Sequence, residues 1–158
     1  MTRKRFIELV KQEQNSLRGF LLALCGGNKS DADDIAQDAL VKAYLALGQY
    51  SDRGQFRAWL FRIAYNTFLN YEAAKHNNTS LEEAVSMTSP TETDDAFRHQ
   101  VLYMALDKLP PKERAAVTLY YLNGYSIKEI AGITGDKSDA VKKQLSRGRE
   151  NLKEMVKL

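Results

Sequence analysis

A single cysteine, Cys25, leaves no partner for an internal disulfide, and two histidines are too few for an ordinary metal-ligand cluster. Cys25 closes the apolar run FLLALC, where a buried small hydrophobe is expected rather than a reactive thiol. The two histidines also weigh against an enzyme: His76 sits in a polar stretch, and His99 has no general-base or metal partner near it in sequence. Neither a metal nor a cofactor is expected. Long apolar runs are missing as well. No stretch approaches the roughly 20 apolar residues needed to span a bilayer, so no membrane insertion is expected. The N-terminal segment MTRKRFIELVKQEQ lacks the uninterrupted apolar core of a signal peptide, which points to a soluble, cytoplasmic chain.

What is present is helical pattern and uneven charge. With 158 residues and 44% hydrophobic content, the chain can form one ordinary domain or two small ones. The net charge of +3 is modest, but its distribution is not. Between His76 and Phe97 there are five acids and no Lys or Arg; from Lys137 onward there are seven basic residues against three acids. A basic C-terminal stretch behind an acidic middle implies that one end meets a polyanion. Apolar residues recur at helical spacing nearly everywhere, and there is no strand signal.

The expected elements follow from local stop and start signals. One helix runs from Phe6 to about Leu24 and ends at Gly26-Gly27. Ser30, with Asp33 three residues on, resembles a capping box opening a second helix to about Leu47, closed by Gly48. A polar loop, GQYSDRGQ, leads to a long helix from Phe56 to about Lys75. Residues 77–95 are rich in Ser, Thr, Asn and acids, which fits a flexible linker with one helical turn around Leu81 to Val85. Helix resumes from Ala96 to Leu109. Pro111 suits the first position of the next helix, to about Leu122. Asn123-Gly124 marks a turn, Ser126 caps the short helix IKEIAGI, and a last helix begins at Ser138. The expected fold is all-α: two small helical domains, 1–76 and 96–158, joined by the acidic linker 77–95, the second domain holding a helix-turn-helix.

Three surfaces carry candidate chemistry. In the last helix, Val141, Leu145, Gly148, Leu152, Met155 and Val156 share one seam that should pack inward. Asp139, Lys143, Ser146, Arg147 and Glu150 face away, with Lys142 at the flank. Two helices with a Gly-containing turn and a cationic outer face suit entry into a DNA major groove, where Lys and Arg reach guanine edges or phosphates. A merely solvated charged face is the plainer alternative. In the second helix, Ala36, Ala39, Leu40, Ala43 and Leu47 form a narrow packing face. Opposite lie Asp34, Gln37 and Asp38 beside Val41 and Leu45, a mixture that suggests a protein-binding patch, although scattered surface apolars are common. In the third helix, Arg62, Asn66 and Asn70 form a polar stripe among aromatics. These residues can hydrogen-bond to or stack on unpaired bases, while Trp59 reads as core. The preceding loop, with Gln49, Tyr50, Ser51, Asp52 and Arg53, has the polar inventory to hold a flipped base.

Two blocks together resemble a known family. DADDIAQDALVKAY followed by GQYSDRGQFRAWLFRIAYNTFLNY is similar to region two of extracytoplasmic function (ECF) sigma factors. LDKLPPKERAAVTLYYLNGYSIKEIAGITGDKSDAVKKQLSRGRENL is similar to their region four. The resemblance implies that Asp34, Gln37, Asp38, Val41 and Leu45 grip the clamp helices of core RNA polymerase. It implies that Gln49 to Gln55, with Arg62, Asn66 and Asn70, capture the melted minus-ten element. Lys142, Lys143, Ser146 and Arg147 would read minus-35 DNA as duplex, and the linker would lie in or near the RNA exit path. The implied partners are core RNA polymerase, promoter DNA and a separate anti-sigma factor. EAAKHNN after Tyr71 is less basic than the family norm, which puts upstream duplex contacts there in doubt. Gly148 stands where the family more often has Ala, a change expected to loosen the helix by about 1 kcal/mol. The competing reading is a stand-alone helix-turn-helix transcriptional regulator, which has no need of the Asp34/Asp38/Val41/Leu45 patch or the aromatic third helix.

Overall fold

A computed structural model describes residues 1–50, 54–77 and 94–156, apart from the side chains at 76, 77, 94–97 and 156. The elements, in chain order, are α1 (Arg3–Leu24), α2 (Lys29–Leu45), a 3-10 turn (Leu47–Gln49), α3 (Phe56–Asn77), α4 (Asp94–Asp107), α5 (Pro111–Val117), a π-helical turn (Thr118–Leu122), α6 (Ile127–Thr134) and α7 (Ser138–Val156). Among the described residues there is no strand, and no helix is long and apolar enough to cross a membrane. The expected turn of helix around Leu81 to Val85 and most of the expected linker lie outside the described residues.

The helix ends show where local signals were decisive. Thr2 caps α1, its side chain accepting from the Arg5 amide at 3.1 Å. The cap of α2 is Asn28, whose Oδ1 accepts from the Asp31 amide at 3.1 Å. Ser30 therefore lies inside the first turn, and the expected Ser30–Asp33 box is not formed. Both residues are good caps, and Asn28, two positions earlier, satisfies one of the otherwise free amides first. Pro111 takes the first position of α5 as expected. That helix stops at Val117, and the chain widens into the π turn, where the Asn123 amide reaches back to the Thr118 carbonyl at 3.2 Å. Ser126 forms a full capping box with Glu129: the two reciprocal bonds measure 3.1 and 3.0 Å. The Ser126 amide, and after it the Ser126 hydroxyl, also hold the Glu129 carboxyl below its ordinary value, because a donor to the carboxylate stabilises its charged form.

Helices α1, α2 and α3 pack into a bundle around Phe20, Leu21, Ile35, Leu60, Ala64 and Phe68. Helices α5, α6 and α7 pack around Ala116, Ile130, Ile133, Val141 and Leu145. The two halves also share one continuous core. Phe20 and Phe61 stack at 5.1 Å, and Tyr125 meets the edge of Phe61 at 5.6 Å, so the start of α6 seats on α3. Helix α4 lands on the end of α1. There Gly26 and Gly27 have φ of +64° and +88°, and a Cβ at Gly26 would stand 2.6 Å from the Asp107 carboxyl carbon. The Gly-Gly pair thus ends one helix and makes room for another.

Arg114 fastens this junction. It is 5% exposed, and its guanidinium donates to the carbonyls of Leu106, Asp107 and Leu109 at 2.8, 3.0 and 2.9 Å and to that of Leu24 at 2.5 Å. Those carbonyls belong to the C-terminal ends of α4 and α1 and to the residues just beyond α4. They lack intrahelical donors and carry the negative pole of each helix. One planar cation with five N–H groups satisfies both ends at once. Around the other side, Arg57 of α3 lies 5.1 Å over the Tyr125 ring and pairs with Glu13 at 3.0 Å. Cys25 is half-buried, less enclosed than expected, but desolvation still pushes its thiol up to about 12, the direction of an unreactive side chain.

Candidate functional site

The acids of the DADD segment in α2 divide by face. Asp31 is drawn into the bundle, where Tyr71 donates its hydroxyl to Asp31 Oδ1 at 2.6 Å and Lys75 stands 3.8 Å from the other oxygen. This bond, reinforced by burial, pushes the Tyr71 phenol well above its ordinary value, because the neutral form makes it. Asp33 pairs with Arg18 of α1 at 3.5 Å. Asp34, Gln37 and Asp38 point to solvent on the opposite face. Beside them Val41 is 58% exposed and Leu45 77%. The packing face holds as expected: Ala36, Ala39 and Ala43 are buried, Leu40 and Leu47 half-buried, and small residues let α2 approach α3 closely.

Tyr44 extends this patch and was not anticipated. It is exposed between Val41 and Leu45, its ring 5.9 Å from Phe6 and 6.0 Å from the Arg3 guanidinium. The apolar surface therefore continues from α2 onto α1, where Ile7 is also exposed. The signal was available, since Tyr44 follows Val41 by three residues and helical spacing puts the two on one side.

Arg62, Asn66 and Asn70 are all exposed along α3, as the i, i+4, i+8 spacing predicts. The loop before α3 is only partly described. Gln49 is exposed, while Ser51, Asp52 and Arg53 lie outside the described residues. Tyr50 turns inward: its ring is buried 4.6 Å from Trp59 and 5.9 Å from Phe56. Trp59 is only half-buried, not core, because it covers Tyr50 from the outside of the bundle. Tyr50 thus props the start of α3 with its ring and does not present it at the surface.

On α7 the inner seam is buried at Val141, Leu145 and Gly148 and half-buried at Leu152. Met155 departs from expectation and is exposed, the helix having run past the body of the fold. Lys142, Lys143, Ser146 and Arg147 all face solvent. Gln144, at the edge of the seam, donates to Asp136 Oδ2 at 3.0 Å and so fixes the turn between α6 and α7. The packing of the two halves uses the buried sides of α3 and α6. It leaves both the α3 stripe and the outer face of α7 open.

Comparison with known proteins matches the chain to one family. Residues 9–76 match the model of sigma-70 region 2, and residues 99–152 match that of sigma-70 region 4. The ECF RNA polymerase sigma factor SigE of Mycolicibacterium smegmatis is 30% identical over 158 residues, covering 94% of this chain; the chain spans 60% of that relative's length. The ECF RNA polymerase sigma-E factor of Escherichia coli is 29% identical over 141 residues, 80% of this chain and 74% of the relative. Among solved structures, the sigma factor RpoE in complex with the anti-sigma factor NepR from Bartonella quintana superposes with a TM-score of 0.82 at 26% identity, covering 98% of both chains. CnrH in complex with the cytosolic domain of CnrY gives 0.74 at 26% identity, covering 98% of this chain and 89% of the other. Both regions in their order, on a fold shared with solved sigma factors, show that the chain belongs to the ECF group of sigma-70 factors.

Proposed function

We propose that this chain binds core RNA polymerase and directs it to promoters, acting in the cytoplasm as an initiation factor and not as an enzyme. The observation that carries the reading is the outward face of α2. Two carboxylates, an amide and two strongly exposed aliphatic side chains share it, on a helix whose other acids, Asp31 and Asp33, are paired to Tyr71 and Arg18. Apolar side chains left in water beside a fixed charge pattern are the composition of a protein-docking surface. Residues 1–76 are assigned core binding through Asp34, Gln37, Asp38, Val41 and Leu45. They are also assigned minus-ten capture through the exposed Gln49, Arg62, Asn66 and Asn70, with Ser51, Asp52 and Arg53. The role for Tyr50 there becomes support of that loop. Residues 96–158 are assigned minus-35 reading through Lys142, Lys143, Ser146 and Arg147, and residues 77–95 the tether.

Each DNA face offers few cations, so each alone should bind weakly and with strong salt dependence. Mounting both on one polymerase raises their effective concentration and gives occupancy without tight individual binding. Control by an anti-sigma factor is part of the proposal, since the related RpoE and CnrH were each solved with such a partner or a partner's cytosolic domain. The test is run-off transcription by purified core polymerase on a pool of genomic promoter fragments. Specific transcripts are expected only with the chain present, and their loss on Asp34→Ala/Asp38→Ala. Duplex binding without any transcript would replace the proposal with a stand-alone helix-turn-helix regulator.

A further inference from the structure

We infer that Lys112, on α5 and outside the reading helix, makes a phosphate contact beside α7, with Asp136 holding its ammonium in place. The inference rests on α7 being the duplex-reading helix. A cleft of about 350 Å³ opens between the start of α5 and the outer face of α7, lined by Pro110, Pro111, Lys112, Glu113, Lys143 and Arg147, among others. Three cations and one carboxylate thus meet there. That carboxylate is engaged elsewhere: Glu113 Oε1 accepts from the Asn151 amide at 2.9 Å. Lys143 and Arg147 come from the face already assigned to DNA. Lys112 brings a third charge to the same cleft from a different helix.

Asp136 explains how that charge is placed. Its backbone amide donates to Thr134 Oγ1 at 3.4 Å and its Oδ2 accepts from Gln144 at 3.0 Å, so the carboxylate is fixed by the turn and by α7 together. Its Oδ1 lies 3.6 Å from Lys112 Nζ. The Lys112 side chain is 63% exposed and that of Asp136 20%. A pair this open to water contributes little stability by itself. Its electrostatic effect is larger where a polyanion approaches. An unscreened carboxylate at the start of α7 would repel the phosphates that Lys143 and Arg147 attract, and Lys112 cancels it. An ammonium has three donors and one carboxylate leaves some of them free, so the same group can bond a phosphate oxygen. A side chain from the supporting helix meets the strand and not base edges, so this contact should position α7 without reading sequence.

The experiment is fluorescence anisotropy of the full chain on two short duplexes of unrelated sequence over a range of salt concentrations. One phosphate contact changes the slope of log affinity against log salt by about 0.9, which is about threefold less salt sensitivity between 50 and 200 mM. Lys112→Gln is expected to lower the slope by about that amount on both duplexes, and Lys112→Arg to retain it. A Lys112→Gln protein with the parental slope overturns the inference and leaves a structural bridge. If Lys143→Gln and Arg147→Gln also leave the slope unchanged, the reading of α7 itself has failed; if they lower it, only the role of Lys112 has.

Discussion

Replacing Gly148 with Ala should destabilise the fold, although helix propensity alone predicts the opposite. Gly148 lies in the interior of α7, where Ala gains about 1 kcal/mol over Gly. The added Cβ would stand 2.6 Å from Val117 Cγ2. Val117 is buried on α5, and a β-branched side chain in a helix has one strongly preferred rotamer, so it cannot swing clear cheaply. Overpacking of this kind costs about 1–3 kcal/mol, which leaves a net loss of about 1 kcal/mol. Val117→Ala removes the obstructing methyl and by itself should cost about 1.5–2 kcal/mol in lost apolar burial. In that background Gly148→Ala should become stabilising by about 1 kcal/mol. Urea unfolding of the four proteins, followed by helical circular dichroism, measures the coupling, expected near 2 kcal/mol. A raised midpoint for Gly148→Ala alone, or additive effects in the double variant, would refute the packing argument and restore the view of Gly148 as a loosened position.

Arg114→Met keeps the aliphatic length but removes four hydrogen bonds, and among the described residues only the Leu106 carbonyl keeps another donor, the Leu109 amide, so a loss of about 3 kcal/mol or more is expected in urea unfolding, with Arg114→Lys intermediate. Asn28→Ala should cost about 1 kcal/mol and Ser30→Ala much less, since only Asn28 caps α2; thermal unfolding of the pair decides between them. Burial pushes the Tyr65 and Tyr125 phenols up to about 12, against about 10 when unfolded. A raised folded value means the stabilisation is complete below pH 10 and is lost as pH rises from 10 through 12, because the unfolded chain releases those protons first. Unfolding midpoints measured across that window should fall, and Tyr125→Phe should make the fall shallower.

Local pattern gave most helices because their punctuation is chemical. Gly26-Gly27, Pro110-Pro111 and Ser126 each stop or start a helix by a mechanism contained in the residues themselves. The outward faces were legible for the same reason: spacing of three and four puts Asp34, Asp38, Val41 and Leu45 together whatever the helix packs against. The misreadings have local and nonlocal causes. At α2 two competent caps stand two residues apart, and sequence does not rank them. The π turn at Thr118–Leu122 widens a helix by one residue, a change that apolar periodicity over so short a run does not reveal. Tyr50, Trp59 and Gly148 depend on what lies across from them, and Gly148 could be judged loose only while Val117 was not known to face it. Arg114 carried a signal that went unused: a lone cation next to the apolar run AAV has to find acceptors if that face is buried.

The junction between the halves is where sequence was silent and where the fold makes its balance between association and separation. Three of the four acceptors on Arg114 lie near it in sequence, on or just after α4, and persist whatever the halves do. The fourth, the Leu24 carbonyl, belongs to the other half. Separating the halves would therefore not strand a buried cation; it would exchange one charge-assisted bond, worth about 1.5–3 kcal/mol, for water. It would also uncover Tyr125 and Phe61 and release Arg57 from the Tyr125 ring. The junction also holds a second bond, from the Asn123 side-chain amide to the Ser16 carbonyl at 3.5 Å, and the apolar core that both halves share. A partner shifts this arrangement only by as much as its affinity for the joined and separated halves differs. Because the α3 stripe and the outer face of α7 stay exposed while the halves are joined, joining them does not cover those two surfaces. What it fixes is the distance and angle between them, which under the proposed function sets how the two faces would meet one promoter.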